Sequence, residues 1–118
     1  MFSLGPATRI YLAAGPTDLR LGYDGLSARA QHVLAADPLS GHLFVFCNRA
    51  KDRIKILYWD GSGPWLCTKR LHQGRYSWPA LAEGAARVSL RAEELALLLG
   101  GIELERTRAK EWWRREPG

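Results

Sequence analysis

The sequence predicts an α+β domain, an antiparallel β-meander of about four strands with two main helices packed on one face. Three observations carry this. His42 to Cys47, Arg53 to Trp59 and Trp65 to Arg70 each alternate with period two, the signature of half-buried strands. The segments between them, Asn48-Arg49-Ala50-Lys51-Asp52 and Asp60-Gly61-Ser62-Gly63, are short and polar, and the second is rich in residues that tolerate positive φ. Two further stretches, after Asp24 and after Ser89, place apolar residues at helical spacing.

If both hairpins close symmetrically, Phe46 lies opposite Ile54, Phe44 opposite Ile56, His42 opposite Tyr58, Tyr58 opposite Trp65, and Ile56 opposite Cys67. These residues would form the core face. Leu43, Val45, Cys47, Arg53, Lys55, Leu57, Trp59, Leu66, Thr68 and Arg70 would fall on the other face, because side chains alternate across a pleated sheet. A slip of one residue exchanges the faces.

Upstream, Thr8 to Ala13 alternates Ile10 and Leu12 against Arg9, Tyr11 and Ala13, a strand ended by Gly15-Pro16. Pro16 to Arg20 reads as a helical first turn broken by Gly22. Asp24 is placed to cap a longer helix whose stripe is Leu26, Ala30, Val33 and Leu34, stopped by Asp37-Pro38. Downstream, Pro79 to Arg87 makes an Ala- and Gly-rich connection. Ser89 is then expected to cap a helix from Leu90 to Leu99 that ends at Gly100-Gly101. Residues 1–102 make one domain and residues 103–118 a charged C-terminal tail. The bulky apolar residues of that tail after Leu104 are Trp112 and Trp113, a composition that fits either disorder or partner contact.

A chain of 118 residues with 47% hydrophobic content suits one modest core. It has no apolar run of about 18 residues, and Met1 to Ala14 lacks the pattern of a signal peptide, so a cytoplasmic setting is expected. Cys47 and Cys67, the two cysteines, are expected to be reduced thiols on opposite faces.

The formal net charge of +5 is unevenly distributed. His42 to Trp78 carries seven basic residues, Arg49, Lys51, Arg53, Lys55, Lys69, Arg70 and Arg75, against Asp52 and Asp60, so the rest of the chain balances at ten against ten. The excess is interleaved with Tyr58, Trp59, Trp65, Tyr76 and Trp78. Clustered Lys and Arg beside aromatic rings is the footprint of a nucleic-acid surface; the plainer reading is a solvated sheet face. The candidate binding residues are therefore Arg49, Lys51, Arg53, Lys55, Trp59, Lys69, Arg70 and Arg75.

Catalytic patterns are absent: there is no P-loop, dinucleotide fingerprint, HExxH or paired CxxC. Gly61-Ser62-Gly63 lies in a hairpin, whereas a nucleophile elbow needs a strand-to-helix turn. His42, His72 and the cysteines lack ligand spacing, and Asp18, Asp24, Asp37 and Asp60 each suit a cap or turn. The expectation is a protein that is not an enzyme, with no cofactor, metal or small-molecule substrate, and no membrane partner.

Several blocks together carry a resemblance: Pro16-Thr17-Asp18-Leu19-Arg20, Gly22-Tyr23-Asp24-Gly25-Leu26, Ser40-Gly41-His42-Leu43-Phe44-Val45-Phe46, Asp52-Arg53-Ile54-Lys55, Trp59-Asp60-Gly61, Lys69-Arg70-Leu71 and Gly74-Arg75-Tyr76-Ser77-Trp78-Pro79. From about Thr8 to Ile102 the chain resembles the short accessory protein, TnpB, of insertion-sequence-sixty-six transposons, which is unrelated to the RNA-guided nuclease of the same name. Leu21 stands where that family often has Lys or Arg. The resemblance implies a partner transposase encoded by the same element and a supporting role in DNA transposition, but no settled biochemical activity. Joined to the basic meander, it gives the expected function: a non-catalytic accessory factor contacting transposon DNA, the transposase, or both. The alternatives are a pure protein adaptor for the transposase and, most distant, a small metal-dependent nuclease.

Overall fold

The computed structural model describes residues 8–32, 37–78 and 87–100 and the backbone of 114–116. In chain order these form β1 (Ile10–Ala13), α1 (Tyr23–His32), β2 (Leu43–Cys47), β3 (Arg53–Trp59), β4 (Pro64–Arg70), β5 (Arg87–Leu90), α2 (Ala92–Leu99) and β6 (Arg114–Glu116). The expected helix residues Val33 and Leu34, the connection 79–86, Gly101, and Trp112 and Trp113 lie outside the described residues.

The α+β class holds, with one sheet of strand order β4-β3-β2-β1-β5-β6. Strands β2, β3 and β4 form the antiparallel meander expected from the alternation. β1 instead runs parallel to β2, with Ile10 opposite Leu43 and Leu12 opposite Val45. The reason is the connection: parallel neighbours need a long crossover, and the segment carrying α1 supplies one. Ser89 is not a cap but a strand residue opposite Tyr11. Residue 91 takes the cap position, and its N–H donates to Glu94 Oε1 at 2.7 Å. Pro16 to Arg20 forms no helix; Leu21 N–H closes a turn on the Asp18 carbonyl at 3.2 Å. Asp24 sits inside the first turn of α1 rather than capping it.

The helices lie on opposite faces of the sheet, not on one. Leu95 and Leu98 of α2 pack with Ile10, Leu12, Leu43, Val45, Ile54, Ile56, Val88 and Leu90. Leu26 and Ala30 of α1 pack with Tyr11, Ala13, Phe44, Phe46 and Leu57. This two-sided cover explains why β1 and β2 are buried along their whole lengths, which strict alternation with polar residues would not give.

The first hairpin departs from the symmetric register by one residue. Cys47 pairs with Ile54, Val45 with Ile56 and Leu43 with Tyr58. Asn48 causes the shift, because it belongs to the ladder rather than the loop: its N–H donates to the Arg53 carbonyl at 3.2 Å. Its side-chain Oδ1 accepts from the amides of Asp52 (3.1 Å) and Arg53 (3.2 Å), and its Nδ2 donates to Asp52 Oδ1 at 2.7 Å. The loop proper is then Arg49 to Asp52, with Lys51 in the left-handed region at φ 61°. The slip exchanges the faces of β2 relative to β3. Cys47 and Cys67 consequently share the α2 face, not opposite faces. Neither is in a disulfide, and burial pushes both thiols up, Cys47 to about 11.

The second hairpin keeps the expected register, Tyr58 opposite Trp65 and Ile56 opposite Cys67. Asp60 organises its turn: Oδ1 accepts from Ser62 N–H (2.8 Å), Ser62 Oγ (2.9 Å) and Gly63 N–H (3.0 Å), and Oδ2 from Trp65 Nε1 (2.8 Å). Gly61 takes φ 99°, which a side chain would strain. Ser62 is thereby a turn residue.

Candidate nucleic-acid interface

The basic residues gather where the Arg49–Asp52 loop meets the C-terminal end of β4. Arg53 and Arg70 stand directly opposite each other in the β3–β4 ladder, on the α1 face, with Lys55 opposite Thr68 one step further in. Like charges so placed repel, a cost that an anion would relieve. Asp52 lies close to both: its carboxyl is lowered chiefly by the Asn48 amide, then by a backbone hydrogen bond, and further by the charges of Arg70 and Arg53. Lys55 is partly committed, with Nζ donating to the Leu21 carbonyl at 3.4 Å. Arg49 and Lys51 are exposed on the loop.

A strap after β4 brings in Arg75. Leu71 N–H donates to the Asp52 carbonyl at 2.9 Å and Tyr76 N–H to the Lys51 carbonyl at 2.6 Å. The Tyr76 hydroxyl donates to the Lys69 carbonyl at 3.3 Å, and Trp78 Nε1 donates to the Ala13 carbonyl at 3.2 Å. Tyr76 is buried in the α2-side core, so the strap is anchored and its exposed Arg75 is held beside Lys51.

Two of the expected binding residues are not in this group. Lys69 points to the α2 face, where its Nζ donates to the Leu99 carbonyl at 2.6 Å and so satisfies the C-terminal end of that helix. Trp59 shares a face with Arg53 but lies six residues away along β3, roughly 20 Å at strand rise.

Facing Arg53 and Lys55 is the turn that follows β1. Asp18 and Arg20 form a two-point ion pair there, with Arg20 Nε to Oδ1 at 3.0 Å and Nη2 to Oδ2 at 2.9 Å, and Asp18 Oδ1 also accepts the Arg20 N–H at 3.0 Å. The turn is tied to the sheet by Thr17 N–H donating to the Cys47 carbonyl at 2.8 Å. Between turn and sheet runs a cleft of about 520 Å³, bounded also by Asn48 and Arg49. Thr17, Arg20 and Thr68 on its walls were not among the residues expected from sequence. The available signal was the Pro-Thr-Asp-Leu-Arg block, whose polar residues suit a turn as well as a helix start.

Asp37, like Asp18 and Asp60, serves a local turn, accepting Leu39 N–H at 2.9 Å. Among the described residues, no three His, Cys, Asp or Glu side chains come together to hold a metal ion, and no helix is long and apolar enough to cross a membrane.

The IS66 Orf2-like protein family model matches residues 8–109 of the chain. The chain belongs to the IS66 Orf2-like family. It is therefore an insertion-sequence accessory protein associated with transposition. Two relatives from Sinorhizobium fredii (strain NBRC 101917 / NGR234) align over nearly their full lengths. The uncharacterized protein y4hO is 41% identical over 114 residues, covering 97% of this chain and 96% of its own. The uncharacterized protein y4jC is 40% identical over 109 residues, covering 91% and 92%. No solved structure matches the chain.

The carboxylates that organise the two turns make stability depend on acid. The hydrogen bonds from Arg20 hold Asp18 at about 2, and those from Ser62 and Trp65 hold Asp60 at about 2, against an ordinary 3.8. A depressed folded value means the contribution is complete above 3.8 and is lost as pH falls to about 2. Thermal melting across that interval is expected to show a falling midpoint, and Asp60→Asn is expected to flatten the fall while lowering the midpoint at neutral pH. A midpoint equally steep in Asp60→Asn would remove Asp60 from the effect.

Proposed function

We propose that this protein is a non-catalytic accessory factor of IS66-type DNA transposition that contacts the phosphate backbone of transposon DNA with the basic end of its sheet. Arg49, Lys51, Arg53, Lys55, Arg70 and Arg75 carry the contact. Residues 1–102 act as the working domain, residues 103–118 as an appended charged segment, and the setting is cytoplasmic. The observation that supports this best is the opposed Arg53–Arg70 pair. The neighbouring Asp52 carboxylate offsets the repulsion between them, and an anion bound between the two guanidiniums would offset it further. Basic residues come from three elements, the β2–β3 loop, the β3–β4 ladder and the strap tied to that loop, and contacts to successive phosphates of a backbone would draw on all three. Lys69 is assigned to the α2 terminus instead, and Trp59 to covering the sheet.

Electrophoretic shift and anisotropy measurements with duplex DNA from the transposon ends test this, each with and without the transposase of the same element. The expected result is binding by the accessory protein alone that weakens steeply with salt. Binding seen only in the presence of transposase would give the surface to an acidic patch of that protein, and the adaptor reading would replace this one. Magnesium-dependent cleavage by the pure protein would end the non-catalytic reading.

A further inference from the structure

β4 ends the sheet, and among the described residues no strand pairs with its outer edge. The hydrogen bonds that bracket the β3–β4 ladder fix which groups point there. Asp60 N–H donates to the Gly63 carbonyl at 3.1 Å at one end, and Leu71 N–H to the Asp52 carbonyl at 2.9 Å at the other. Hydrogen-bonded pairs alternate along an antiparallel ladder, so Trp65, Cys67 and Lys69 turn their main-chain groups to β3, and Pro64, Leu66, Thr68 and Arg70 turn theirs outward. Such a row of donors and acceptors along a strand of 7 residues is a template for another strand. The usual protections sit at its ends, with Pro64 lacking an N–H at one and Lys69 and Arg70 charged at the other. The middle has none, and Trp65 is 44% exposed beside it.

This row is complementary to itself. Laid antiparallel on a second copy with Cys67 at the two-fold axis, Leu66 meets Thr68 of the other chain and each donates to the other's carbonyl, while the Arg70 N–H meets the Pro64 carbonyl. The missing donor of Pro64 therefore falls at the outer rungs, where it costs least. Charge selects the same arrangement. Parallel strands would set Arg70 beside Arg70, and like charges directly opposite each other repel. The antiparallel ladder instead sets Lys69 opposite Trp65 of the second copy, on the α2 face, and Trp65 is the ring whose Nε1 donates to Asp60 Oδ2 at 2.8 Å. The ammonium thus approaches an aromatic ring and a carboxylate together. Its bond to the Leu99 carbonyl uses one of its three donors and leaves two for the second copy.

We propose that β4 pairs with β4 of a second copy of this chain, antiparallel about Cys67, to give a two-fold dimer with one continuous sheet. The inference goes beyond the DNA-contact reading and does not depend on it. The axis stands perpendicular to the sheet, so the α1 faces of both copies lie on the same side. Arg53 and Arg70, whose side chains are exposed on that face, are left uncovered by the pairing. The Arg70 backbones of the two copies would lie about 20 Å apart along the strands.

Sedimentation velocity of the full chain, in reductant and without DNA, reads the assembly, and a concentration-dependent dimer is expected. Thr68→Pro removes one outward donor from each copy and none from the β3–β4 ladder, a position where an edge strand accepts proline. It should keep the wild-type far-ultraviolet spectrum and weaken the dimer by about five- to 150-fold, as two lost hydrogen bonds do. Trp65→Lys, which sets a lysine against Lys69, should also shift the equilibrium to monomer. Cys67 gives an independent readout, because facing residues of a non-hydrogen-bonded pair sit about 4.5 Å apart at Cα, within disulfide reach. Copper-phenanthroline should link the wild type and Cys47→Ser into dimers on a non-reducing gel and should not link Cys67→Ser. A wild type that stays monomeric at every concentration, with no Cys67 cross-link, would overturn the proposal. A dimer that ignores Trp65→Lys and a folded Thr68→Pro, and forms no Cys67 cross-link, would overturn it too by placing the contact elsewhere. Should Thr68→Pro fail to fold, Trp65→Lys and the cross-link decide. Salt-dependent DNA binding by a strictly monomeric protein would end the dimer and leave the DNA-contact reading standing.

Discussion

Phe44→Ala is expected to destabilise the protein by about 3–5 kcal/mol, a large share of what a domain of this size has. Phe44 is fully buried and stacks on Tyr11 at 5.8 Å between ring centroids. Tyr11 in turn takes the His42 ring edge-on at 5.9 Å and the Arg87 guanidinium at 4.7 Å. Truncation would leave a cavity beneath α1 that neighbouring strands, hydrogen-bonded on both sides, cannot close. The melting temperature should fall by roughly 10–20 °C. Leu12→Ala, at the same depth on the other face, should cost about 2–5 kcal/mol. Double-mutant cycles give the sharper result. Phe44 should couple to Tyr11 by at least about 0.5 kcal/mol, and should be additive with Leu98, from which the sheet separates it. Coupling of Phe44 to Leu98 would return β2 to the symmetric register and would contradict the Asn48 pairing.

That register marks where the sequence was and was not legible. The strands of the meander were readable because period-two alternation is a local property, and the Asp60 turn was readable because Asp-Gly-Ser-Gly serves few purposes besides turning. The first hairpin was misread by one residue. Asn48 looks like loop composition, yet it pairs with Arg53 through its backbone and clamps Asp52 and Arg53 through its side chain. No periodicity rule distinguishes a four-residue loop from a five-residue one when the residue at issue is Asn. The parallel pairing of β1 was missed for a different reason: a strand's own residues do not reveal its neighbour, and only the length of the crossover through α1 does. Placement of α1 and α2 on opposite faces follows from the same crossover, as does the unbroken burial of β1.

The candidate site was legible as a set of charges and not as a shape. Arg53, Lys55 and Arg70 were placed on one face correctly, because their mutual register comes from the well-read second hairpin. Lys69 is one residue from Arg70 and therefore on the opposite face, where the α2 terminus engages it; a count of basic residues cannot see that distinction. The family resemblance includes the Pro16–Arg20 block without saying what the block does.

Removing the three arginines of the basic end together should have the largest effect on function. In Arg49→Ala/Arg53→Ala/Arg70→Ala, each lost phosphate contact should reduce the slope of log affinity against log salt by about 0.9. Between 1 M and 0.1 M salt that amounts to about eightfold per residue, or about 500-fold for the triple variant at the lower salt. The loss should be similar for transposon-end and unrelated duplexes, since phosphates carry no sequence information. Stability is expected to move the other way. Arg53 and Arg70 repel across the ladder, so the variant should melt at or above the wild-type temperature at low salt, and the difference should shrink as salt screens the pair. Anisotropy titrations across salt, with melting curves in the same buffers, read both quantities. Opposite signs for affinity and stability separate a binding surface from a structural one: charges that served folding would lower both on removal, and idle surface charges would change neither. A triple variant that kept the wild-type slope and affinity would remove this end of the sheet as the DNA contact.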